Sequence, residues 1–461
     1  MRLSESPSSF ALARWLDDFL SRRGAAISLG LDRVYAVASR LGFLSRAGGI
    51  GLPCPVIVVG GTNGKGSTCA FLESILIQAG YRVACYTSPH LLRFEERLRI
   101  QGEPADADAW RQALEEVDRM AQQTPAQPLT YFEVTTLAAI LQVSRQPCDV
   151  AIFEIGLGGR LDAVNILASD AAVLTSIDLD HQEFLGDSRE KIGWEKAHIA
   201  RSGRPLVVGD PVPPTSVAEV AAQLGADLWQ MGRDFNYQGD RQQWSWTGRG
   251  SRRNSLAYPA LRGANQLLNA SAALAALQAL QDRLPVSQGA VRQGLAMVHL
   301  PGRFQVLPGQ PAVILDVAHN PHAAGVLATN LDQMGFFPRT YAVVGILADK
   351  DAEAVVQRLA GRVDVWCLAG LDDPSLGPRA RSGAQLAETA QRAVAALPAH
   401  QLPVEPPEFH AFATPQEALR YAAGRAQPSD RIVVFVSFMT VSAAWPLAQA
   451  VGQAPHAPHA H

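Results

Sequence analysis

A glycine-rich run that ends in a lysine and a hydroxyl side chain separates an apolar run from a helical pattern. Residues 56–59 are apolar and β-branched, residues 60–67 are GGTNGKGS, and the helical pattern continues over 68–79. Glycines let several backbone N–H groups converge on one phosphate, Lys65 adds positive charge at the outer phosphates, and the Ser67 hydroxyl can reach a magnesium ion. This arrangement predicts a site for a nucleoside triphosphate.

The spacing within this run differs from that of the common phosphate-binding loop. The common loop has four residues between its first glycine and the Gly-Lys pair, whereas Gly60 leaves three and Gly61 leaves two. A plain strand–turn–helix unit with a glycine turn is the alternative interpretation. The Lys-Gly-Ser ending favours the phosphate site.

Side chains that suit a magnesium ion follow three other apolar runs. Ser88 and Glu154 lie at the ends of two of these runs, and residues 178–183, DLDHQE, follow the third. Magnesium prefers oxygen ligands, and ligands of parallel sheets collect at the carboxyl ends of the strands. Glu154 is the sharpest candidate, because a carboxylate in an apolar strand is costly unless it is paired or metal-bound.

Each of these candidates also has a purely structural interpretation. Glu154 would form a salt bridge with Arg160, and a single histidine such as His181 is more often structural than functional. Lys196 lies in the helical pattern over 188–201, where an ordinary exposed lysine is the expected residue.

Apolar runs alternate with amphipathic segments in two stretches of the chain. The first stretch predicts a mostly parallel sheet covered by helices on both faces. A second alternation begins after residues 300–304, LPGRF, and the polar segment 234–258 interrupts the pattern as a surface excursion, such as a hairpin. We predict an α/β fold with three parts: a P-loop-type domain over 1–298, a smaller Rossmann-like α/β domain over 299–452, and a tail over 453–461.

The boundary and the second domain add two candidate residues. Asp316 ends an apolar run. At this position its carboxylate could accept hydrogen bonds from ribose hydroxyls. Arg303 could contact phosphates from the second domain, and a salt bridge within the linker is the alternative.

The composition is that of a packed globular protein. Of the 461 residues, 48% are hydrophobic and 18% are charged, and the formal net charge is −3, so nucleic acid is not the expected main partner. No uncharged apolar run approaches the length of a membrane span, and residues 8–20 predict an amphipathic helix rather than a signal peptide. The five cysteines lack CxxC spacing, which predicts reduced thiols in a cytoplasmic protein.

Taken together, these motifs resemble the folylpolyglutamate synthase/dihydrofolate synthase family, a branch of the Mur-type amide ligases. The matching runs cover most of the chain in the family's order: residues 29–33, 61–67, 87–91, 129–133, 154–165, 175–186, 301–305 and 316–321. Mur-type ligases in general share the glycine-rich run, whereas residues 158–162, GGRLD, and 129–133, LTYFE, are typical of the folate branch.

The resemblance implies an ATP-dependent carbon–nitrogen ligase with two activities in folate biosynthesis. ATP would phosphorylate the carboxylate of dihydropteroate or of a tetrahydrofolate (poly)glutamate, and L-glutamate would then attack the acyl phosphate. The implied cofactors are ATP and Mg²⁺, with no nucleic-acid or membrane partner, and the implied state is a cytoplasmic monomer. A cell-wall amino-acid ligase of the Mur type and a non-catalytic ATP-binding switch are the alternatives.

The resemblance also implies roles for individual residues. The ATP site would comprise Thr62, Asn63, Gly64, Lys65, Gly66, Ser67, Asn269, Arg303 and Asp316. Ser88 and Glu154 would bind one magnesium ion and His181 a second, and the catalytic residues would be Lys65, His181 and Lys196, the last as a carbamate. The pterin substrate would contact Ala26, Ile27, Ser28, Leu29, Thr130, Tyr131, Phe132, Glu133, Leu161, Asp162 and Ala163.

Three positions depart from the family's pattern. His198 stands where glycine commonly follows Glu-Lys-Ala, and Val436 and Met439 replace a glycine and a histidine in a late run. The departures at Val436 and Met439 affect contacts that the resemblance implies near the C-terminus, at the glutamate end of the site.

Overall fold

The computed structural model describes residues 6–23, 28–43, 45–46, 49–240, 242–371 and 374–453. The chain divides into two compact units: the first comprises Met1–Ala260 and Gln266–His299, and the second comprises Leu261–Asn265 and Leu300–His461. The short segment Leu261–Asn265 thus groups with the second unit. Within the described ranges, no helix combines the length and the apolar character needed to cross a membrane.

Helices and strands alternate through the first unit. Its helices are α1 (Pro7–Arg23), α2 (Asp32–Arg40), α3 (Lys65–Gln78), α4 (Ala107–Ala121), α5 (Tyr131–Arg145), α6 (Gln182–Leu185), α7 (Arg189–Ala197), α8 (Thr215–Leu224), α9 (Gln266–Ala279) and α10 (Gln288–Met297). Its strands are β1 (Ser45–Arg46), β2 (Gly49–Ile50), β3 (Val56–Gly60), β4 (Val83–Tyr86), β5 (Leu98–Ile100), β6 (Glu103–Pro104), β7 (Val150–Glu154), β8 (Ala171–Leu174), β9 (Pro205–Val208), β10 (Asp227–Gln230), β11 (Asn236–Gly239), β12 (Gln243–Gly248) and β13 (Ser251–Ala257).

The main sheet of the first unit has the strand order β10-β9-β8-β3-β7-β4-β5-β6. The strands from β10 to β4 are parallel, and β5 and β6 extend the sheet in antiparallel pairing. Every residue of β3, β4, β7 and β8 is buried. Such continuous apolar burial is expected of parallel strands that are covered on both faces.

The register of the central strands brings the predicted site residues to one edge of this sheet. Val59 pairs with Glu154, and Gly60 pairs with Leu174. The glycine-rich loop, Glu154 and the segment after β8 therefore meet at the carboxyl edge, where ligands bind in sheets of this kind.

The second unit contains a smaller α/β sheet. Its strands are β14 (Gln305–Leu307), β15 (Ala312–Asp316), β16 (Thr340–Val344), β17 (Val365–Ala369), β18 (Glu408–Phe412) and β19 (Arg431–Phe435). Its helices are α11 (Pro321–Gln333), α12 (Ala352–Leu359), α13 (Gly383–Ala395), α14 (Pro415–Arg425) and α15 (Phe438–Gln453). The strand order is β14-β15-β19-β16-β17-β18, in which β14 is antiparallel to its neighbour and the other pairs are parallel.

The predicted fold class is confirmed: a larger unit with a mostly parallel sheet accompanies a smaller α/β unit. The helix predicted over 188–201 ends earlier, because α7 stops at Ala197. Helix α15 was not predicted; Pro446 lies inside it, where a proline disfavours a helix. The five cysteines are free thiols, as predicted.

The polar segment 234–258 was predicted as a surface excursion such as a hairpin, and it forms a three-stranded antiparallel sheet, β11-β12-β13. Trp244 and Trp246 of β12 are fully buried, because alternate residues of a strand point to the same face. The indole N–H of Trp244 donates to the carbonyl oxygen of Ala257 at 2.9 Å. This segment therefore has an apolar face of its own.

Candidate active site

Two glycines of the glycine-rich loop adopt backbone conformations that other residues rarely adopt. Gly61 has a φ of 139° and Gly64 a φ of 87°. A Cβ at Gly61 would overlap the hydroxyl of Thr175, and a Cβ at Gly64 would overlap the amide oxygen of Asn269. Both positions require glycine, and Asn269 of α9 lies directly against the loop.

The segment after β8 holds this loop in place. The Thr62 N–H donates to the carbonyl oxygen of Ser176 at 2.6 Å, and the Thr175 hydroxyl donates to the carbonyl oxygen of Asn63 at 2.6 Å. The Asp178 N–H donates to the Thr62 hydroxyl at 3.0 Å. These bonds between the protein's own atoms shape the loop.

Two lysine side chains converge on one carbonyl oxygen of the loop. Nζ of Lys65 lies 3.2 Å from the oxygen of Gly61, and Nζ of Lys196 lies 2.9 Å from the same atom. Lys196 is only 4% exposed, so the interpretation as an ordinary exposed lysine is wrong. Burial and then the charge of Lys65 lower the pKa of Lys196 to about 7, against the opposing effects of Asp180 and Asp162. Lys196 therefore has an accessible neutral form near physiological pH.

Glu154 and Ser88, two of the three predicted metal ligands, are in contact. The Ser88 N–H donates to Oε2 of Glu154 at 3.1 Å, and Glu154 is buried. Arg160, the alternative partner of Glu154, forms its salt bridge with Glu195 at 2.9 Å. The Arg160 guanidinium is thus engaged elsewhere.

The donor chemistry of this position fits a hard divalent cation. Within the part of the chain that the structure describes, no three His, Cys, Asp or Glu side chains cluster as a metal site. A nucleotide-bound magnesium ion keeps several waters and uses one or two protein carboxylates with the phosphates, so Glu154 with the Ser88 hydroxyl suffices. The imidazole of His181 is a ligand type better suited to transition-metal ions.

His181 has a strained backbone. Its φ is 48°, in the left-handed region, at the residue before α6. The carboxylate of Asp180 accepts the His181 N–H at 2.9 Å and lies 3.9 Å from its Nε2. Strain of this kind costs about 1–3 kcal/mol and is concentrated at functional sites.

An arginine joins two of the segments predicted to contact the pterin substrate. Ser28 accepts a hydrogen bond from the Arg33 guanidinium, which also forms a salt bridge with Glu133 at 2.6 Å. Ala26 and Ile27 lie outside the described residues. The remaining predicted residues of this segment therefore lie next to the start of α5.

The start of α5 is itself a capping box. The Thr130 side chain accepts the Glu133 N–H, and Oε2 of Glu133 accepts the Thr130 N–H at 2.8 Å. The ring of Phe132 lies so close to Gly156 that a Cβ there would overlap it. The Arg97 guanidinium lies over the ring of Tyr131, and its Cζ atom is 5.3 Å from the ring centroid.

Asp162 is a buried carboxylate in the third predicted substrate segment. Its carboxylate accepts the N–H groups of Leu157 at 2.8 Å and Val164 at 3.0 Å, just before the short turn that begins at Ala163. Burial raises the pKa of Asp162 to about 7, against the effects of these bonds and of Lys65. The Leu161 carbonyl accepts the Gly30 N–H at 3.4 Å, close to Leu29.

Arg303 and Asp316 lie close together in the second unit. The Asp316 carboxylate accepts the N–H groups of Phe304 at 2.8 Å and Ala318 at 2.7 Å. Burial raises the pKa of Asp316, and the charge of Arg303 opposes this shift. The Arg303 guanidinium lies 5.1 Å from the ring centroid of Phe438.

The sequence interpretation assigned no role to Thr175, Ser176 or Arg33. Thr175 and Ser176 could have been suspected, because they directly follow an apolar run. That they bond to the glycine-rich loop depends on the pairing of β8 with β3, which no local pattern reveals.

We expect Gly64→Ala to weaken ATP binding at least about tenfold, because the new Cβ must displace Asn269 and the backbone must leave the left-handed region. Gly80→Ala is the matched control, since Gly80 has a φ of 91° with no atom within 4 Å of the added Cβ. It should lower the free energy of unfolding by about 1 kcal/mol and leave ATP affinity unchanged. Calorimetric titration with ATP and thermal unfolding would measure both; equal losses of affinity would contradict the prediction.

Two family models match the chain. The Mur ligase middle domain matches residues 59–277, and the Mur ligase, glutamate ligase domain, matches residues 302–438. The first match contains the glycine-rich loop, and the second contains all six strands of the second unit's sheet.

Known proteins resemble the chain over nearly its whole length. It is 43% identical to a dihydrofolate synthase/folylpolyglutamate synthase of Escherichia coli K12, over 82% of this chain and 85% of the relative. A structure of E. coli FolC in complex with DHPP and ADP has a TM-score of 0.85 and 39% identity, covering 96% of this chain and 99% of the other. A structure of a bifunctional folylpolyglutamate synthase/dihydrofolate synthase with Mn, AMPPNP and L-glutamate has a TM-score of 0.81 and 41% identity, covering 95% and 98%.

Proposed function

Because the chain belongs to the dihydrofolate synthase/folylpolyglutamate synthase family of Mur ligases, we propose that it adds L-glutamate to dihydropteroate and to tetrahydrofolate (poly)glutamates through an acyl phosphate. It is an ATP-dependent ligase of folate metabolism. The observation that carries the proposal is the convergence of the glycine-rich loop, Lys65, Lys196 and Glu154 at one edge of the first unit's sheet.

The chemistry requires activation of a carboxylate. A carboxylate is a poor electrophile, because its charge repels a nucleophile and an oxide ion is a poor leaving group. Transfer of the γ-phosphoryl group of ATP to a carboxylate oxygen releases ADP and gives an acyl phosphate. The glutamate amine then attacks the acyl carbon, loses a proton and displaces inorganic phosphate, which leaves an amide.

The backbone N–H groups of residues 61–67 and the side chain of Lys65 would hold the phosphates. Lys65 donates to the carbonyl oxygens of Gly61 and Thr62, at 3.2 and 3.1 Å. Because these acceptors are neutral, the ammonium group can turn towards a phosphate without breaking an ion pair with a carboxylate. One divalent cation held by Ser88 and Glu154, and a second held by His181, would, when bound, neutralise part of the charge on the transferred phosphoryl group. Magnesium is the ion we propose.

We propose that Lys196 acts as a carbamate. Its neutral amine would attack carbon dioxide and lose a proton, which converts a buried cation into an anionic oxygen ligand. The buried position and the pKa of about 7 support this proposal, because only the neutral amine is a nucleophile. Lys65 lies close enough to lower the pKa of Lys196, and its charge would stabilise a carbamate.

Carbamylation should depend on pH. When protein depleted of carbon dioxide is supplied with the same concentration of dissolved carbon dioxide at pH 6 and at pH 8, activity should return faster at pH 8, because the neutral fraction of an amine with a pKa of about 7 rises about tenfold between these two pH values. Carbon-13 NMR with labelled bicarbonate should detect the carbamate carbon at pH 8. Lys196→Ala is the control and should show neither response; full activity without carbon dioxide at both pH values would exclude the carbamate.

Residues 28–29, 130–133 and 161–163 are proposed to bind the pterin, which is supported by the bonds that join these segments. Asn269 is proposed to bind ATP, which its position against Gly64 supports. The ATP contacts of Arg303 and Asp316, the monomeric state and the cytoplasmic location stay predictions.

A product assay with the purified protein tests the function. ADP should be released only when ATP, L-glutamate and either dihydropteroate or tetrahydrofolate are all present. With an oxygen-18-labelled substrate carboxylate, one labelled atom should appear in the inorganic phosphate. Turnover with a UDP-muramoyl peptide instead would favour a cell-wall ligase, and ATP binding without any ligation would favour a switch.

A further inference from the structure

A buried carboxylate of the first unit, to which the proposed function assigns no role, lies just after β9. Asp210 is 5% exposed and comes two residues after the end of that strand. Its Oδ2 accepts the Ile177 N–H at 2.8 Å, and its Oδ1 accepts the Val212 N–H at 2.9 Å. A buried carboxylate is costly unless its oxygens are paired, so Ile177 is tied closely to Asp210.

Arg189, the first residue of α7, binds both Asp210 and Ile177. Its Nη2 donates to Oδ2 of Asp210 and to the carbonyl oxygen of Val212, each at 3.0 Å. Its Nε donates to the carbonyl oxygen of Ile177 at 2.7 Å. One charged pair therefore binds both backbone polar groups of Ile177, and it joins the segments after β8 and β9 to the start of α7.

Ile177 begins the segment that leads to His181. The next residue, Asp178, donates its N–H to the Thr62 hydroxyl at 3.0 Å, and this hydroxyl donates to the Asp178 carbonyl oxygen at 3.1 Å. Within the turn itself, the Asp180 carboxylate accepts the His181 N–H at 2.9 Å. Bonds to other parts of the chain thus fix the path of the backbone before it reaches His181.

The strained backbone of His181 requires such support. A residue other than glycine keeps a left-handed conformation, here with a φ of 48°, only where the surrounding structure imposes it. The bond from Asp180 is local to the turn, whereas Thr62 and the Arg189–Asp210 pair hold the turn from separate segments of the chain. The direction of the His181 side chain therefore depends on this charged pair.

We propose that the Arg189–Asp210 pair positions His181 to hold the second divalent cation. This inference rests on the proposed function and adds to it two positioning residues that act through the backbone of Ile177. A metal ligand must be held in one direction, and removal of the groups that orient it commonly lowers metal affinity or activity about 10- to 100-fold. The pair thus has a role beyond its contribution to stability.

Asp210→Asn tests the proposal, because the amide nearly keeps the shape of the carboxylate but loses the charge that pairs with Arg189. Binding of Mn²⁺ to the purified protein in the presence of AMPPNP can be followed by the electron paramagnetic resonance signal of the free ion. The wild-type protein should bind two Mn²⁺ ions. Asp210→Asn should bind the second ion about 10- to 100-fold more weakly and the first with unchanged affinity, and its KM for dihydropteroate should stay unchanged.

Asp170→Asn is the matched control. Asp170 directly precedes β8, at the opposite edge of the same sheet, and its carboxylate accepts the Val56 N–H at 2.9 Å. It also pairs with Arg204 at 3.6 Å and with Arg283. Asp170→Asn should lower the melting temperature, as Asp210→Asn does, but leave the affinity for both Mn²⁺ ions unchanged. The comparison separates a loss of stability from a loss of positioning.

The possible outcomes separate this inference from the proposed function. If the wild-type protein adds no glutamate or binds a single Mn²⁺ ion, the proposed function or its second cation fails, and this inference fails with it. If the wild-type protein does both and Asp210→Asn binds the second ion normally, or weakens both ions equally, only the positioning role fails. If Asp210→Asn does not fold, Arg189→Lys decides. It keeps the charge but cannot reach Ile177, Asp210 and Val212 together, so a selectively weakened second ion supports the proposal and unchanged binding overturns it.

Discussion

Lys196→Ala should lower kcat for glutamate addition by about 100-fold or more. Lys196 is buried, and its Nζ lies 2.9 Å from the carbonyl oxygen of Gly61 in the glycine-rich loop. As a carbamate it would act on the charge that develops during phosphoryl transfer, and the loss of one such group commonly costs about 100- to 1,000-fold. Steady-state assays with dihydropteroate, ATP and L-glutamate would measure the change.

Lys191→Ala is the matched control for this substitution. Lys191 lies on the same helix, is well exposed and forms a surface ion pair with Asp187 at 2.9 Å. Exposed ion pairs contribute little to stability, so Lys191→Ala should fold normally and keep the wild-type kcat. If Lys196→Ala were as active as Lys191→Ala, Lys196 would have no part in the mechanism.

Glu154→Gln should lower activity by about 100-fold and raise the concentration of divalent metal needed for half-maximal activity. The amide has nearly the shape of the carboxylate and can still accept the Ser88 N–H, which now lies 3.1 Å from Oε2. The melting temperature should therefore change little. Assays over a range of Mg²⁺ and Mn²⁺ concentrations would reveal the altered requirement.

Glu73→Gln is a contrasting control. Glu73 is also a buried carboxylate, but it forms a salt bridge with Arg99 at 2.7 Å. Its removal leaves Arg99 without its anionic partner, so the free energy of unfolding should fall by about 3 kcal/mol while the metal requirement stays unchanged. An unaltered metal requirement in Glu154→Gln would remove Glu154 from the metal site.

The glycine-rich run shows how much could be predicted from local sequence. Backbone freedom at glycine and the adjacent lysine and hydroxyl are local properties, so the sequence alone predicts a phosphate-binding loop. The alternation of apolar runs and helical patterns likewise predicted the α/β class, because a buried parallel strand is apolar along its whole length.

Other properties could not be predicted from local pattern. The helical pattern around Lys196 favours an exposed residue, and its burial follows from packing against Gly61 and Gly159, which lie on separate segments of the chain. The salt bridge of Arg160 with Glu195 is a further case. The types and order of the site residues are local information, whereas a pKa or a salt-bridge partner depends on atoms that only the folded chain brings within a few ångströms.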